Sequence, residues 1–394
     1  MFLSGIGQFP DTSRRQHPCY HLQQGRDDRQ NGDPRISRYK TQTKIILMTW
    51  LEIKNDVILI GIKFILLFAI FLAVSCDGEK EGDPKPDDNP SGPVWGDPVP
   101  LPDITGLKKF QLSGSDSYVN VMQEVMPAIP EFPTVGVEEG KLRGFVADLS
   151  GRPVEDAFVG VRSSLVGGSY SSASAKTDEN GYYEIMIPIG AAEIWAAGYS
   201  FNYGTGKASV GLYPGDGDLE SFPSTNGLVK NFVLLSYGLA DEDERAERPW
   251  SSRGYFGGSL LISYTLGDPD DIWAPTGSLP FDAEIQIELT PVVATFYGEN
   301  RTFTISKKVE NFSFYINNLP IGKYKMNARL KDGRELRIRQ VGPYVDQYPH
   351  HGLQPKDGVG EAEVWFTPMG VASESGAPNY GNWRPVDIKV ELPQ

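Results

Sequence analysis

The stretch that most limits what this chain can become is Phe64 to Cys76, FILLFAIFLAVSC, an apolar run ending at a small residue and a cysteine. A secretory signal combines a basic segment, an apolar core of about 7–15 residues and a small-residue cleavage site. Lys54 and Lys63 supply the charge, Phe64 to Val74 the core, and Ala73-Val74-Ser75 the approach to the cut. On this reading everything upstream is removed and everything downstream is exported. Cysteine usage tightens the constraint. Only Cys19 and Cys76 occur, and the first leaves with the leader, so no intramolecular disulfide can staple the exported part. Its stability has to come from packing.

Ala73-Val74-Ser75-Cys76 resembles the lipobox of bacterial lipoproteins, although Ala73 stands where leucine is commonest. The resemblance implies diacylglycerol on the Cys76 thiol, a mature chain beginning there, and attachment to a membrane through lipid. A retained transmembrane helix is the competing reading, because Val57 to Ser75 approaches the ~20 residues a span needs. Lys63 interrupts that span, and a central charge costs about 2.5–3.5 kcal/mol on insertion scales. Residues 1–47 are polar, rich in Arg and Gln and without apolar periodicity, whereas Met48 opens a segment, 48–75, of ordinary signal length. Residues 1–47 therefore read as a start assigned too far upstream, or alternatively as a disordered cytoplasmic tail.

The formal net charge is −14, and the removed leader is itself basic, so the exported part is more acidic still. That balance excludes a nucleic-acid partner, whose phosphates reward clustered Lys and Arg. It is also the wrong sign for anionic headgroups, which leaves lipid as the means of membrane attachment.

Residues 76–103 are dominated by proline, glycine and acids, and predict an extended, disordered tether of at most ~80 Å at about 3.1 Å per residue. Asp77, Glu79 and Glu81 resemble signals that send some Gram-negative lipoproteins to the outer membrane surface. Residues 104–139 read as a connector packing against the first module; YVNVMQEVM (118–126) fits a short helix or a strand, and Pro127, Pro130 and Pro133 end any helix.

Residues 140–238 carry the clearest pattern. KLRGFVADLSGRPVEDAFVGVR places two apolar-rich strands around Ser150-Gly151-Arg152-Pro153, where glycine permits positive φ and proline sits at a position that donates no hydrogen bond. Asp178-Glu179-Asn180-Gly181 is a hairpin turn, and YYEIMIPIGAAEIWAAGY gives two strands joined at Pro188-Ile189-Gly190. Short strands at this spacing predict a β-sandwich. The set Gly144, Asp148, Gly151-x-Pro153-Val154, Ala157, Val159, Thr177-Asp178-x-x-Gly181-x-Tyr183, Pro188, Gly190 and Gly198-Tyr199 resembles the carboxypeptidase regulatory-like domain. That resemblance implies a transthyretin-like sandwich, related to the pilin-type repeats of surface proteins and mostly without activity of its own. Ser164–Lys176 departs from it as a long Ser/Gly-rich insert, and Phe201–Asn226 as a long loop before a closing strand, Leu228 to Leu235.

DEDERAE (241–247) marks a charged linker, 239–254. Residues 255–394 read as a second sandwich and a degenerate copy of the first. SLPFDAEIQIEL parallels GRPVEDAFVGV, and Pro320-Ile321-Gly322 repeats Pro188-Ile189-Gly190 within the same period-2 pattern. The fold class expected is all-β: two tandem antiparallel β-sandwich modules, transthyretin-like or Ig-like, after a lipoprotein signal and a disordered tether.

Candidate sites are few. Trp195, Tyr199, Phe201, Tyr203, Tyr213 and Phe222 crowd one edge of the first module; exposed rings there stack on the apolar face of a sugar, whereas Trp195 reads as core. Tyr199, Tyr203, Tyr213 and Phe222 are the ligand-binding candidates. Asp216-Gly217-Asp218 and Asp268-Pro269-Asp270-Asp271 offer oxygens to calcium but read as solvated turns. Lys141 and Asn231 stand where pilin-type repeats form an isopeptide bond, yet Lys141 is opposite in parity to Leu142, Gly144 and Val146. No catalytic constellation, metal site or cofactor is expected: only His350 and His351 follow the signal, and no nucleophile elbow, HExxH helix or phosphate loop occurs. The chain is therefore read as a lipid-anchored, non-enzymatic outer-membrane or cell-surface protein that binds a glycan or an envelope protein. A structural spacer or assembly subunit is the alternative, and a hydrolase with an unrecognised site the third.

Overall fold

The computed structural model describes residues 93–97, 108–165, 167–268, 270–294, 301–370 and 376–394. The signal, Cys76 and the tether up to residue 92 lie outside them. The described residues belong to one compact unit, Asn89–Gln394.

In chain order the strands begin with β1 (Lys109–Leu112) and β2 (Tyr118–Asn120). The first sandwich follows: β3 (Lys141–Asp148), β4 (Phe158–Ser164), β5 (Tyr170–Lys176), β6 (Tyr182–Met186) and β7 (Ala191–Tyr203), then β8 (Gly206–Gly211), β9 (Tyr213–Pro214), β10 (Phe222–Pro223), β11 (Leu228–Val229) and β12 (Phe232–Leu234). One sheet runs β10-β7-β4-β5 with β8 on β7, and the other β11-β3-β12-β9 with β6 on β3. Alternation builds the core, as period 2 demands. Leu142, Val146, Tyr183 and Ile185 face Val159, Val161, Ala192 and Ile194, all buried.

After helix α1 (Glu242–Glu247), the second sandwich uses β13 (Gly258–Ser263), β14 (Glu284–Ala294), β15 (Phe303–Lys308), β16 (Ser313–Leu319) and β17 (Gly322–Leu330). It continues with β18 (Arg337–Gln340), β19 (Gly352–Gln354), β20 (Asp357–Val359), β21 (Glu361–Trp365), β22 (Thr367–Pro368), β23 (Trp383–Arg384) and β24 (Val386–Glu391). Its sheets run β1-β15-β14-β17-β21-β19 and β2-β16-β13-β24-β18-β20.

The two sandwiches repeat one wiring pattern. In the first, β3 pairs with β6, and β4 with β5 and β7, all antiparallel. In the second, β13 pairs with β16, and β14 with β15 and β17, all antiparallel. A closing strand lies parallel to the opening one in each, β12 on β3 and β24 on β13. A register shift falls in the same strand pair of both, at Gly160/Val161 and at Pro291/Val293. The all-β expectation of sandwich modules holds, with closing strands that are parallel.

Three segments differ from expectation. Phe201–Asn226 is not a long loop: Ala208, Val210 and Leu212 alternate into the core, so β8 forms against β7. The Ser/Gly-rich insert contains β5, an edge strand whose Ala173 and Ala175 pack against the core while Tyr170, Ser172 and Ser174 stay exposed. Residues 104–139 do not serve the first module alone, because β1 pairs with β15 and β2 with β16 in the second, both parallel. Only the later part, through Met126, Ile129 and Phe132, covers a small cluster of Leu149, Val233, Leu235, Ala240 and Phe256.

The charged segment after the first sandwich is ordered. Asp241 caps α1 by accepting from the Glu244 amide at 2.9 Å, and Glu244, buried, pairs with Arg248. Beyond it the sandwiches meet. The Ile321 amide donates to the Ser236 carbonyl (2.9 Å), the Gly238 amide to Asn318 Oδ1 (2.9 Å), and the Tyr203 hydroxyl to the Gly322 carbonyl (3.0 Å). One continuous apolar cluster runs from Leu142 to Val390 across this junction.

Candidate ligand-binding cleft

Tyr199, Phe201 and Tyr203 share one face of β7, because side chains two apart on a strand point the same way. The Tyr199 and Phe201 rings lie parallel, 6.1 Å apart at 7°, and Phe201 meets Tyr203 edge-on at 5.8 Å. The Tyr199 and Phe201 rings are half-buried. They line an open cleft of about 510 Å³ with Arg152, Glu155, Asp156 and Asn202.

The 153–157 turn, which leads into β4 beside Tyr199, lines the same cleft, and Thr177 sets its shape. The buried Thr177 hydroxyl donates to the Val154 carbonyl (2.6 Å) and accepts from the Ala157 amide (2.8 Å). The Asp156 amide adds a bond to the Thr177 carbonyl, and Asp156 takes φ 62°. Asp148 Oδ1 accepts from the amides of Ser150 and Arg152 and from the Ser150 hydroxyl, which closes the adjacent turn. Gly151, Pro153, Val154, Ala157 and Thr177 of the motif therefore act as scaffold, and hold Glu155 and Asp156 at the cleft that Tyr199 and Phe201 also line. Burial raises the pKa of the Tyr199 phenol, and the nearby Asp156 and Glu155 carboxylates raise it further. A smaller hollow of about 210 Å³ on the second sandwich has charged walls, Glu288, Arg329, Glu335 and Glu361 among them, and no aromatic ring.

Of the four ring candidates, only Tyr199 lines the cleft. Tyr203 requires correction: its ring is buried, its hydroxyl accepts from the Phe366 amide (3.0 Å), and it packs on Trp365 and Trp383. Tyr213 is half-buried and stands edge-on against Phe256 at 5.7 Å, over the small second cluster. Phe222 lies in β10 beside Ala192. Trp195 is not core either; it half-covers the outer face of the sheet, against Gly160 and Phe158. Glu155 and Asp156 were the residues the sequence reading passed over. Their signal was an uninterrupted acidic pair between two residues, Val154 and Ala157, that the pattern buries.

The remaining candidates have structural employment. Asp216 and Asp218 clasp the buried Lys230 ammonium, with Nζ 2.7 Å from Asp216 Oδ2 and 2.9 Å from the Asp218 carbonyl. Asp268 and Asp271 accept from the amides of Asp270 and Trp273. Lys141 pairs with Glu138 and Glu184, while Asn231 Oδ1 accepts from the Phe145 amide, so this pair is not poised for an isopeptide bond. Among the described residues no three His, Cys, Asp or Glu side chains gather as a metal site.

No protein-family model matches the chain, and no curated protein matches it. Among solved structures it is similar to a streptococcal ancillary pilin at 15% identity and TM-score 0.15, over 47% of this chain and 52% of that one. A leucine-rich repeat protein from Bacteroides thetaiotaomicron is similar at 9% identity and TM-score 0.14, over 64% of this chain and 27% of that one. The major pilin from Streptococcus pyogenes is similar at 7% identity and TM-score 0.17, over 66% and 99%. The chain thus spans about half of the ancillary pilin and about a quarter of the repeat protein. At such TM-scores none of these likenesses carries an argument, and the fold reading rests on the strand order itself.

Proposed function

We propose that this is a lipid-anchored protein of the outer membrane or cell surface whose exported part is a non-catalytic binding module, with a glycan as ligand of the Tyr199–Phe201 cleft. The observation that carries the reading is the parallel ring pair lining one open cleft together with two carboxylates. A sugar presents apolar C–H faces and a rim of hydroxyls. Rings take the faces, and Glu155, Asp156 and Asn202 are placed to accept from or donate to the rim. Few polar groups at fixed positions beside apolar walls is the general form of a small-ligand site.

A glycan array followed by titration calorimetry tests this. Tyr199→Ala and the Glu155→Gln, Asp156→Asn double variant should each abolish or strongly weaken binding with the fold intact. Tyr213→Ala, away from the cleft, should leave binding unchanged. Absence of binding to any glycan by the wild type removes the reading. Anchoring is tested separately: Cys76→Ser should release the protein from the membrane fraction and end labelling by a palmitate analogue.

The alternative, a structural or assembly subunit, is supported by a different observation, the end-to-end arrangement of the two sandwiches.

A further inference from the structure

Each sandwich has two ends. At the first end lies the Pro-Ile-Gly turn between β6 and β7, or between β16 and β17. At the second lie the connections on the far side of the same strands. In the first sandwich, register places Lys141 opposite Met186 and Ser164 opposite Ala191, so Met186, Pro188–Gly190 and Leu165 share the first end. Tyr170, paired with Ser164, lies there as well. In the second sandwich Gly258 opposite Leu319 marks the first end, and Ser263 opposite Ser313 marks the second.

The internal junction joins unlike ends. The second end of the first sandwich, through Tyr203, Ser236 and Gly238, covers the first end of the second sandwich, through Asn318, Ile321 and Gly322. Ile321 is 2% exposed there, whereas Ile189, its counterpart in an identical Pro-Ile-Gly turn at the same place in the strand order, is 83% exposed. The turn does not need that isoleucine, since the proline and glycine make the bend. Met186, at 66%, Leu165 and Tyr170 are exposed around it.

The second end of the second sandwich is also apolar. Ile272 (88%) and Trp273 (85%) sit on a turn fixed by the Asp271 amide donating to the Asp268 carbonyl and the Trp273 amide donating to Asp271 Oδ1. Phe281 and Phe312, both exposed, belong to the same end, next to Glu284–Lys308 and Ser263–Ser313. Large exposed apolar side chains gathered at a site mark an interaction surface.

We propose that the occupant of the Ile189 end is a second copy of this chain, presenting its Ile272–Trp273 end. The contact joins the same two ends, second to first, as the junction within one molecule, with Ile272–Trp273 where that junction uses Tyr203, Ser236 and Gly238. Such a contact is heterologous: it uses two different patches, leaves one of each free at the termini, and continues into a linear array unless the rotation closes a ring. It does not depend on the aromatic cleft.

Ile189→Asp and Trp273→Asp test it, since both residues are exposed and neither substitution enters the core; matching far-UV spectra and melting curves establish that both variants fold. Sedimentation velocity of the full chain in detergent, over a concentration series, should show association beyond dimer for the wild type. Each variant alone should be monomeric. An equimolar mixture should form a one-to-one dimer and stop there, because one intact Ile272–Trp273 end meets one intact Ile189 end. A wild type monomeric at every concentration overturns the proposal, as does a mixture that fails to pair. Self-association abolished by Ile189→Asp but untouched by Trp273→Asp also overturns it, in favour of a symmetric contact. A monomeric wild type in which Ile189→Asp exposes residues 1–88 to protease assigns that end to the chain's own N-terminal segment and overturns it equally.

Discussion

His351 is the least comfortable side chain in the junction. It is buried, neither ring nitrogen has a hydrogen-bond partner among the described residues, and its ring stacks on Tyr203 at 5.6 Å and 21°. Burial drives its pKa down to about 4; the Tyr203 backbone lies close enough to temper that fall without making a well-formed hydrogen bond, and His350 and Lys356 add repulsion. Lys356 itself donates to Gln340 Oε1 and the His351 carbonyl, and Tyr348 approaches edgewise. An unfolded histidine titrates near 6.5. Between those values the unfolded chain binds the extra proton, so stability is whole above about pH 6.5 and falls as pH drops towards 4. The loss amounts to about 3 kcal/mol at most, at 1.36 kcal/mol for each unit. Urea denaturation at a series of pH values should show the decline, and His351→Phe should flatten it. Glu184 acts in a lower window. Lys141, Tyr182 and Arg143 hold its carboxyl down to about 2, so its contribution is lost only below pH 4.5.

At the scale of the element, the turns were the most legible part of the chain. Thr177-Asp178-x-x-Gly181 sits where the spacing places it, with Asp178 Oδ1 accepting from the amides of Asn180 and Tyr182. Gly181 takes φ 71°, and a Cβ there would meet the Val146 carbonyl at 2.5 Å. Gly333, in the 331–334 turn, takes φ 95° but has open space around it. Alanine at Gly333 should therefore cost about 1 kcal/mol of backbone strain alone, and alanine at Gly181 clearly more, since strain and collision add. Midpoints of chemical denaturation measure both; equal losses would contradict the collision. What the sequence could not display is which equal patterns end up unequal. The two Pro-Ile-Gly turns read alike, and only the docking of one sandwich on the other buries Ile321 and leaves Ile189 bare. The same docking separates Tyr203 from Tyr199, four residues apart on one strand face. Parity assigns them to a single surface, and the neighbouring module then turns one into core while the other lines a cleft. β1 is not visible in the sequence, and β2 reads there as helix or strand alike, for a related reason. A four-residue KFQL or three-residue YVN carries too little periodicity to declare a strand until a partner edge, β15 or β16, is at hand.

The unit Asn89–Gln394 is two sandwiches by wiring and one body by packing. Two modules on a flexible linker would unfold separately, each at its own midpoint. Here the charged segment is a capped helix with Glu244 buried, and the apolar cluster passes through the junction without a break. Removing the first sandwich would expose Ile321 and Phe366 and leave the Gly322 carbonyl and Phe366 amide without the Tyr203 hydroxyl. The second sandwich would then carry an apolar wound and unsatisfied backbone groups, each costing about 1–3 kcal/mol. Removing the second would strand Tyr203 and the tail of β7. β1 and β2 deepen the dependence, because chain that precedes the first sandwich completes both sheets of the second. Neither half has an independent edge to its core, so scanning calorimetry should give a single transition whose calorimetric and van't Hoff enthalpies agree, and proteolysis within 239–254 should not precede it. Two resolved transitions, or early cleavage at α1, would show that the junction yields before the sandwiches do. Under a single transition, the cleft at Tyr199 and the bare end at Ile189 keep a fixed relation, and the glycan proposed for the first would stabilise the body that presents the second.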